Sequence, residues 1–415
     1  MNYNTCTLDS GMRVIHLPSA AQVVYCGIAV KAGTRDEHPG EEGLAHFCEH
    51  LSFKGTERRS AIQLINTIEG VGGELNAFTN KEDTVYYCAI HRSHLRRAVD
   101  VLCDMVFYSQ YPQHEVEKER EVVCDEIESY EDSPAELIFD DIENVLFEGH
   151  PLGHNILGTS DQVRGYNSAD AMRFVRRLYH PSSCVFFISG DADFRKLARL
   201  LDTLVPALQE WPAPQHSQTG KVCQPHHSYD GILGKTIIRE RNTHQAHVVM
   251  GAPAYCAEDP RRWALFLLNN ILGGPGLNSR LNIALRERRG LVYSVESSTV
   301  AYRDSGLWTI YFGCDPADAT RCQRLVSREL DRLTQRPLSS VQLRAAQRQL
   351  EGQLAIACDN REQFALDFAR NYLHTGRQRD LTDIMGHISA LTPDDLLATA
   401  RELFAEERVT TLIYR

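Results

Sequence analysis

His46 and His50 enclose Phe47, Cys48 and Glu49, and that pentapeptide restricts the chain more than any other stretch of it. An α-helix turns roughly 100° per residue, so the two histidines stack one turn apart on one face. Both imidazoles then reach a single metal ion, and zinc, of borderline softness, suits nitrogen donors. Glu49 lies on much the same face, but its carboxylate is read as the base for a water, not as a ligand. The order H-x-x-E-H reverses H-E-x-x-H, so the glutamate stands beside the second histidine and approaches from the other side.

Two histidines leave zinc short of the three protein ligands of an open catalytic site. Residues 115–130 are charged, lack Gly and Pro, and carry Val116, Val123 and Ile127 at helical spacing, which predicts a helix. Glu119 and Glu126 then face the same way, about two turns apart. The economical assignment makes Glu126 the third ligand and Glu119 a supporting carboxylate that orients one. If Glu126 is not the ligand, Glu119 is the next choice.

Each piece has an ordinary reading. Histidines occur as plain polar residues of a helix face, and an acidic run is usually a solvated one. The conjunction is far more specific than either half. The other candidates read as bland: His91 and His94 cap or lie at the surface where a strand hands over to a helix, and His226 and His227 sit in a polar, exposed stretch. Cys48 points away from the histidines, so it reads as a buried thiol. Gly273-Gly274-Pro275-Gly276 lacks the Lys-Ser/Thr of a phosphate loop and reads as a turn.

At these residues the chain resembles the pitrilysin/insulinase family of zinc metallopeptidases, in a short form like the mitochondrial processing peptidases. Ala32-Gly33-Thr34-Arg35-Asp36-Glu37 and Gly43-Leu44-Ala45 lead into the motif as in that family, and Leu51-Ser52-Phe53-Lys54-Gly55-Thr56 follows it. Gly72 to Thr79, Glu131 to Pro134, Pro151 to Gly158, Ser279-Arg280-Leu281 and Leu285-Arg286 to Ser294 extend the likeness over nearly the whole chain. The resemblance implies His46, His50 and Glu126 as ligands of one Zn2+ per chain, Glu49 as base and Glu119 as supporting acid. It implies that Asn76 and Ala77 on an edge strand contact the substrate backbone, and that Arg286 and Tyr293 approach the site from the second half. A guanidinium or phenol there suits an oxyanion; the plainer alternative has Arg286 capping a helix and Tyr293 facing a core. The implied activity is cleavage of peptides bound as an added strand in an enclosed chamber. The implied assembly is a homodimer or a heterodimer with a similar chain. The alternative from another class is a non-catalytic, substrate-presenting subunit, which predicts a damaged metal motif.

At 415 residues, 43% hydrophobic and 24% charged, the chain reads as two globular domains. A net charge of −11 argues against nucleic acid, which needs a basic patch. No apolar run approaches the ~18–20 residues that span a bilayer, and no signal-peptide pattern opens the chain. Twelve cysteines without C-x-x-C spacing read as reduced thiols in a cytoplasmic setting.

The predicted fold is α+β, with two homologous domains, each a mainly antiparallel sheet with helices packed on one face. Residues 1–210 form the catalytic domain, 211–231 a linker rich in Pro, Ser, Gln and His, and 232–415 the second domain. Strands are predicted at 22–30, 74–79, 84–90, 183–189, 235–239, 246–251, 292–301, 306–312 and 409–414. Helices fall between them, including one at 280–288. One constant offset sets Pro112 against Pro337 and Glu126 against Glu351, and maps the metal motif onto 271–275, which has no ligand. The halves therefore read as diverged copies with chemistry only in the first.

Overall fold

The computed structural model describes residues 2–207, 229, 231–241 and 243–415. Most of the expected linker, and His226 and His227 with it, lies outside them. Contacts gather the described residues into two compact units. Unit 1 draws on Met1–Glu128, His154–Thr219 and Ile356–Asp380, and unit 2 on Ser129–Gly153, Gly220–Ala355 and Leu381–Arg415.

Unit 1 is built on β1 (Asn4–Thr7), β2 (Arg13–Pro18), β3 (Val23–Val30), β4 (Glu74–Thr79), β5 (Thr84–His91) and β6 (Cys184–Gly190), in the order β1-β2-β6-β3-β5-β4. All neighbours are antiparallel except β2 and β6. Successive strand residues point to opposite faces, and β3 shows the consequence. Val24, Cys26, Ile28 and Val30 enter the main core, where helices Leu44–Leu51, Ala61–Glu69, Leu95–Tyr108, Ser168–Leu178 and Phe194–Leu204 supply Phe47, Leu64, Leu102, Phe174 and Leu201. Ala29, with Ile15, Val85, Val185 and Phe187, belongs to a second core on the other face.

That other face is covered by a helix from near the end of the chain. Helix Arg361–Thr375 lays Phe364, Ala365, Phe368, Ala369 and Leu373 on it. Burial of each large side chain is worth roughly 1.5–3 kcal/mol. Arg370 and His374 on the same helix both bond the buried Asp83.

Unit 2 repeats the plan. Strands β7 (Thr236–Arg239), β8 (Ala246–Ala254), β9 (Val292–Ala301), β10 (Gly306–Cys314) and β11 (Thr410–Tyr414) run in the order β7-β11-β8-β10-β9, with only β7 and β11 parallel. The order β2-β6-β3-β5-β4 is reproduced strand for strand, and β4 and β9 are the matching edges. Helices Arg262–Gly273, Ala319–Gln335 and Pro393–Leu403 share one core with Trp308, Ile310 and Phe312. Helix Pro134–Leu146 covers the opposite face through Leu137, Ile138, Ile142 and Leu146, against Val249, Leu412 and Tyr414. Each unit thus takes the helix on its second face from the other half of the sequence.

Nearly all predicted elements form within a residue or two of their expected ends. The stretch 280–288 is helical in a wider form, a π-helical segment at Asn282–Glu287. Strands β1 and β2 are additions. Among the described residues ten cysteines are free thiols, but Cys256 is disulfide-bonded, which corrects the expectation of uniformly reduced cysteines. Among the described residues no helix is long and apolar enough to cross a membrane.

Candidate metal centre

Helix Leu44–Leu51 carries the motif, and seven of its eight residues are buried. Leu44, Phe47, Cys48 and Leu51 enter the main core, and this rolls His46, Glu49 and His50 to the remaining face. The two imidazoles lie with ring centroids 4.5 Å apart. Cys48 is buried with its Sγ 3.8 Å from the Ala171 carbonyl oxygen, a core thiol as expected.

Helix Gln113–Glu131 brings the carboxylates. Its buried line Val116, Glu119, Val123, Cys124 and Ile127 packs inward, and Glu126 stands beside the histidines. Glu126 Oε2 lies 3.3 Å from His50 Nε2, and Oε1 lies 3.8 Å from His46 Nε2. One donor atom from each of His46, His50 and Glu126 falls within 4.8 Å of the others, the only such group of three among the described residues.

Supporting contacts separate the two histidines. His50 Nδ1 is 3.0 Å from Glu119 Oε1, whose other oxygen meets Lys54 Nζ at 2.6 Å. His46 Nδ1 is buried with no hydrogen-bond partner. Burial, and then the neighbouring His50, push His46 down to about 4, which keeps it neutral with a lone pair to offer. For His50, burial also disfavours the charge, but the bonds to Glu119 and Glu126 outweigh it and raise the ring to about 9. Metal binding has to displace that proton, as it does for any protonated ligand.

Two imidazole nitrogens and one carboxylate match the His2Glu donor set of catalytic zinc. A histidine whose other ring nitrogen donates to a carboxylate is the usual way such a ligand is oriented. The residues present therefore fit zinc.

Glu49 is buried beside this group, and Thr79 Oγ1, at the end of β4, donates to its Oε2 at 2.6 Å. Burial raises the Glu49 carboxyl, and the Thr79 bond pulls back part of that rise. Strand β4 pairs only with β5, so its outer edge is free of any strand among the described residues. Asn76 and Ala77 lie midway along it, Asn76 exposed and Ala77 partly so.

Unit 1 therefore brings together His46, Glu49, His50, Glu119 and Glu126, with Asn76 and Ala77 on its edge strand. Arg286 and Tyr293 belong to unit 2 and meet each other there, guanidinium carbon 5.9 Å from the ring centroid. Tyr293 is 85% exposed, which rules out the core-facing alternative. Sequence reasoning missed Thr79 and Lys54 as supports, although both lie in segments that carry the family likeness. His91 does cap, its side chain accepting from the Ser93 amide.

Residues 13–160 match the family model described as Insulinase (Peptidase family M16), and 166–350 the one described as Peptidase M16 inactive domain. A protein of Streptomyces coelicolor named an uncharacterized zinc protease is 34% identical over 411 residues, 98% of this chain and 88% of that one. The chain belongs to the M16 peptidase family. A relative from Bacillus subtilis, likewise named an uncharacterized zinc protease, is 30% identical over 98% of this chain and 97% of its own. The crystal structure of a protease from Helicobacter pylori superposes with a TM-score of 0.89 at 21% identity, covering 100% of this chain and 99% of that one. A peptidase M16 inactive domain from Pseudomonas fluorescens reaches 0.88 at 18% identity, covering 100% and 98%. These two show the M16 fold. His46, His50 and Glu126 all fall in the first matched region, and Arg286 and Tyr293 in the second.

Proposed function

We propose that this M16 chain is a zinc-dependent metalloendopeptidase or oligopeptidase, with one zinc held by His46, His50 and Glu126. The convergence of those three side chains, with Glu49 locked beside them, carries the reading. Zinc there supplies Lewis-acid polarisation of a peptide carbonyl and acidifies water. Glu49 takes the proton of the attacking water and hands it to the leaving amine nitrogen. Its raised carboxyl suits the task, because a base works best with a pKa near the operating pH. Glu119, charged through His50 and Lys54, holds the His50 ring. An extended peptide adds to the free edge of β4 beside Asn76 and Ala77, bound through its backbone and so with little dependence on sequence. Arg286 and Tyr293 are assigned as donors to the developing oxyanion.

The partners in this reading are a peptide and a second chain, identical or similar, and native mass measurement decides between them. The free thiols favour a cytoplasmic setting, and the disulfide at Cys256 runs against it. The rival, a presenting subunit without catalysis, expects a broken ligand set, and this one is complete.

The test is hydrolysis of a mixed peptide library by the purified chain, with and without a chelator, beside Glu49→Gln. Chelator-sensitive cleavage that Glu49→Gln abolishes while zinc content stays unchanged is the expected result. Substantial turnover by Glu49→Gln removes Glu49 from its role, and no turnover by the zinc-loaded wild type favours the presenting subunit.

A further inference from the structure

The helix that bears the motif starts without a cap of its own. Gly43 holds its N-cap position in left-handed backbone, φ 90°, with no side chain to meet the free amides of the first turn. Such amides need a partner when a helix start is buried. Here the partner comes from outside the helix. Glu37 Oε2 accepts from the Gly43 amide at 3.1 Å, and Oε1 from the Ala45 amide at 2.7 Å. Its side chain is 1% exposed. A carboxylate in this place also meets the positive end of the helix dipole.

Glu37 is itself held. His154 Nε2 stands 2.8 Å from its Oε2. The His154 carbonyl oxygen accepts from Lys81, a buried lysine just past the end of β4. The loop that follows His154 is pressed onto the helix start. A Cβ on Gly43 would lie 2.5 Å from the Leu157 carbonyl oxygen, and one on Gly158 2.3 Å from that of Glu42. No side chain at position 43 can replace the external cap.

The consequence falls on His46, which lies in this first turn. His50 has Glu119 to aim it, whereas His46 Nδ1 has no hydrogen bond at all. Only the path of the first turn and the packing around it set where the His46 ring points.

We propose that Glu37, steadied by His154, is the positioning residue for His46, doing through the helix backbone what Glu119 does for His50 by direct contact. This rests on the metal reading above. The test measures zinc affinity by chelator competition, and the visible spectrum of the cobalt-substituted protein, for wild type, His46→Ala, Glu37→Ala and Glu37→Gln. Glu37→Ala is expected to bind zinc about tenfold more weakly or worse, in the range seen when a ligand's support is lost, and to shift the cobalt bands. Glu37→Gln retains one acceptor oxygen and recovers part of both. A purely structural role lowers the melting temperature and leaves the cobalt spectrum alone. A folded Glu37→Ala with wild-type affinity and spectrum overturns the proposal. If that variant does not fold, Glu37→Gln decides on the same two readouts. Wild type that takes up no zinc, or His46→Ala that binds it unchanged, sinks the metal assignment itself, which keeps the two failures apart.

Discussion

Thr79 donates its hydroxyl to Glu49 across 2.6 Å, tying the last residue of the edge strand to the single acid of the motif helix. Both side chains are buried, and Thr79 lies within reach of a second hydroxyl, that of Thr84, which donates to the Ala32 carbonyl oxygen. The strand proposed to offer Asn76 and Ala77 to a peptide therefore also holds the acid proposed to move the proton.

Thr79→Val keeps the shape of the strand and removes the donor. A hydrogen bond to a charged group is worth about 1.5–3 kcal/mol, so the orientation of Glu49 loosens and kcat for peptide cleavage falls roughly tenfold or more. Zinc content and KM stay near wild type, because neither the ligands nor the β4 edge change. Steady-state kinetics with metal analysis checks this, and unchanged kcat would remove Thr79 from the machinery.

Glu126 and Glu119 separate by what each removal does to metal. Glu126→Gln deletes a donor of the cluster, and the purified variant is expected to contain little zinc. Glu119→Gln leaves all three donors but loses the charge that holds His50, so affinity drops about 10–100-fold. Chelator titration gives the order wild type, Glu119→Gln, Glu126→Gln. Full occupancy in Glu126→Gln moves the third ligand to Glu119.

Phe368 is fully buried on the second face of the first sheet, edge-on to Phe187 at 6.3 Å and beside Phe364 at 6.0 Å. Phe368→Ala leaves a cavity there and is expected to cost about 3–5 kcal/mol. Urea unfolding should show a lower midpoint, with hydrogen exchange rising first in Arg361–Thr375. A midpoint unchanged by the substitution would mean that this helix adds little to the first unit.

The motif helix, the acidic helix and the edge strand were legible because each carries its own period, and because His46 and His50 share a face of one helix while Glu119 and Glu126 are spaced two turns apart on another. Strand Asn4–Thr7 is polar, largely exposed and too short to alternate, and Arg13–Pro18 breaks its apolar run with His16 and Pro18, so neither announced itself. The helices Pro134–Leu146 and Arg361–Thr375 were readable as helices, but an apolar stripe does not say which sheet it covers. Thr79 acts by reaching across the fold to Glu49, and Glu37 by folding onto the amides of Gly43 and Ala45 at the first turn of the motif helix. No local pattern at Thr79 or Glu37 distinguishes that from an ordinary strand threonine or loop glutamate.

Asp83 gives the first unit a dependence on acid. It is fully buried where Arg370 Nε meets it at 2.9 Å and His374 Nε2 at 2.7 Å, both from the helix on the second face. Burial alone would raise its carboxyl, but the His374 bond and the Arg370 charge outweigh that and hold it at about 2, against an ordinary value near 4. A carboxyl depressed in the folded state binds its proton more readily when unfolded. Its contribution is therefore complete above about pH 4 and disappears as the pH falls toward 2. The depression corresponds to about 2–3 kcal/mol. Asp83→Asn should be less stable at neutral pH, with its arginine and histidine left facing an amide, and should lose stability less steeply between pH 4 and 2. Urea midpoints of the two proteins across that window decide the matter: parallel curves would show that Asp83 is not the group whose protonation loosens the helix.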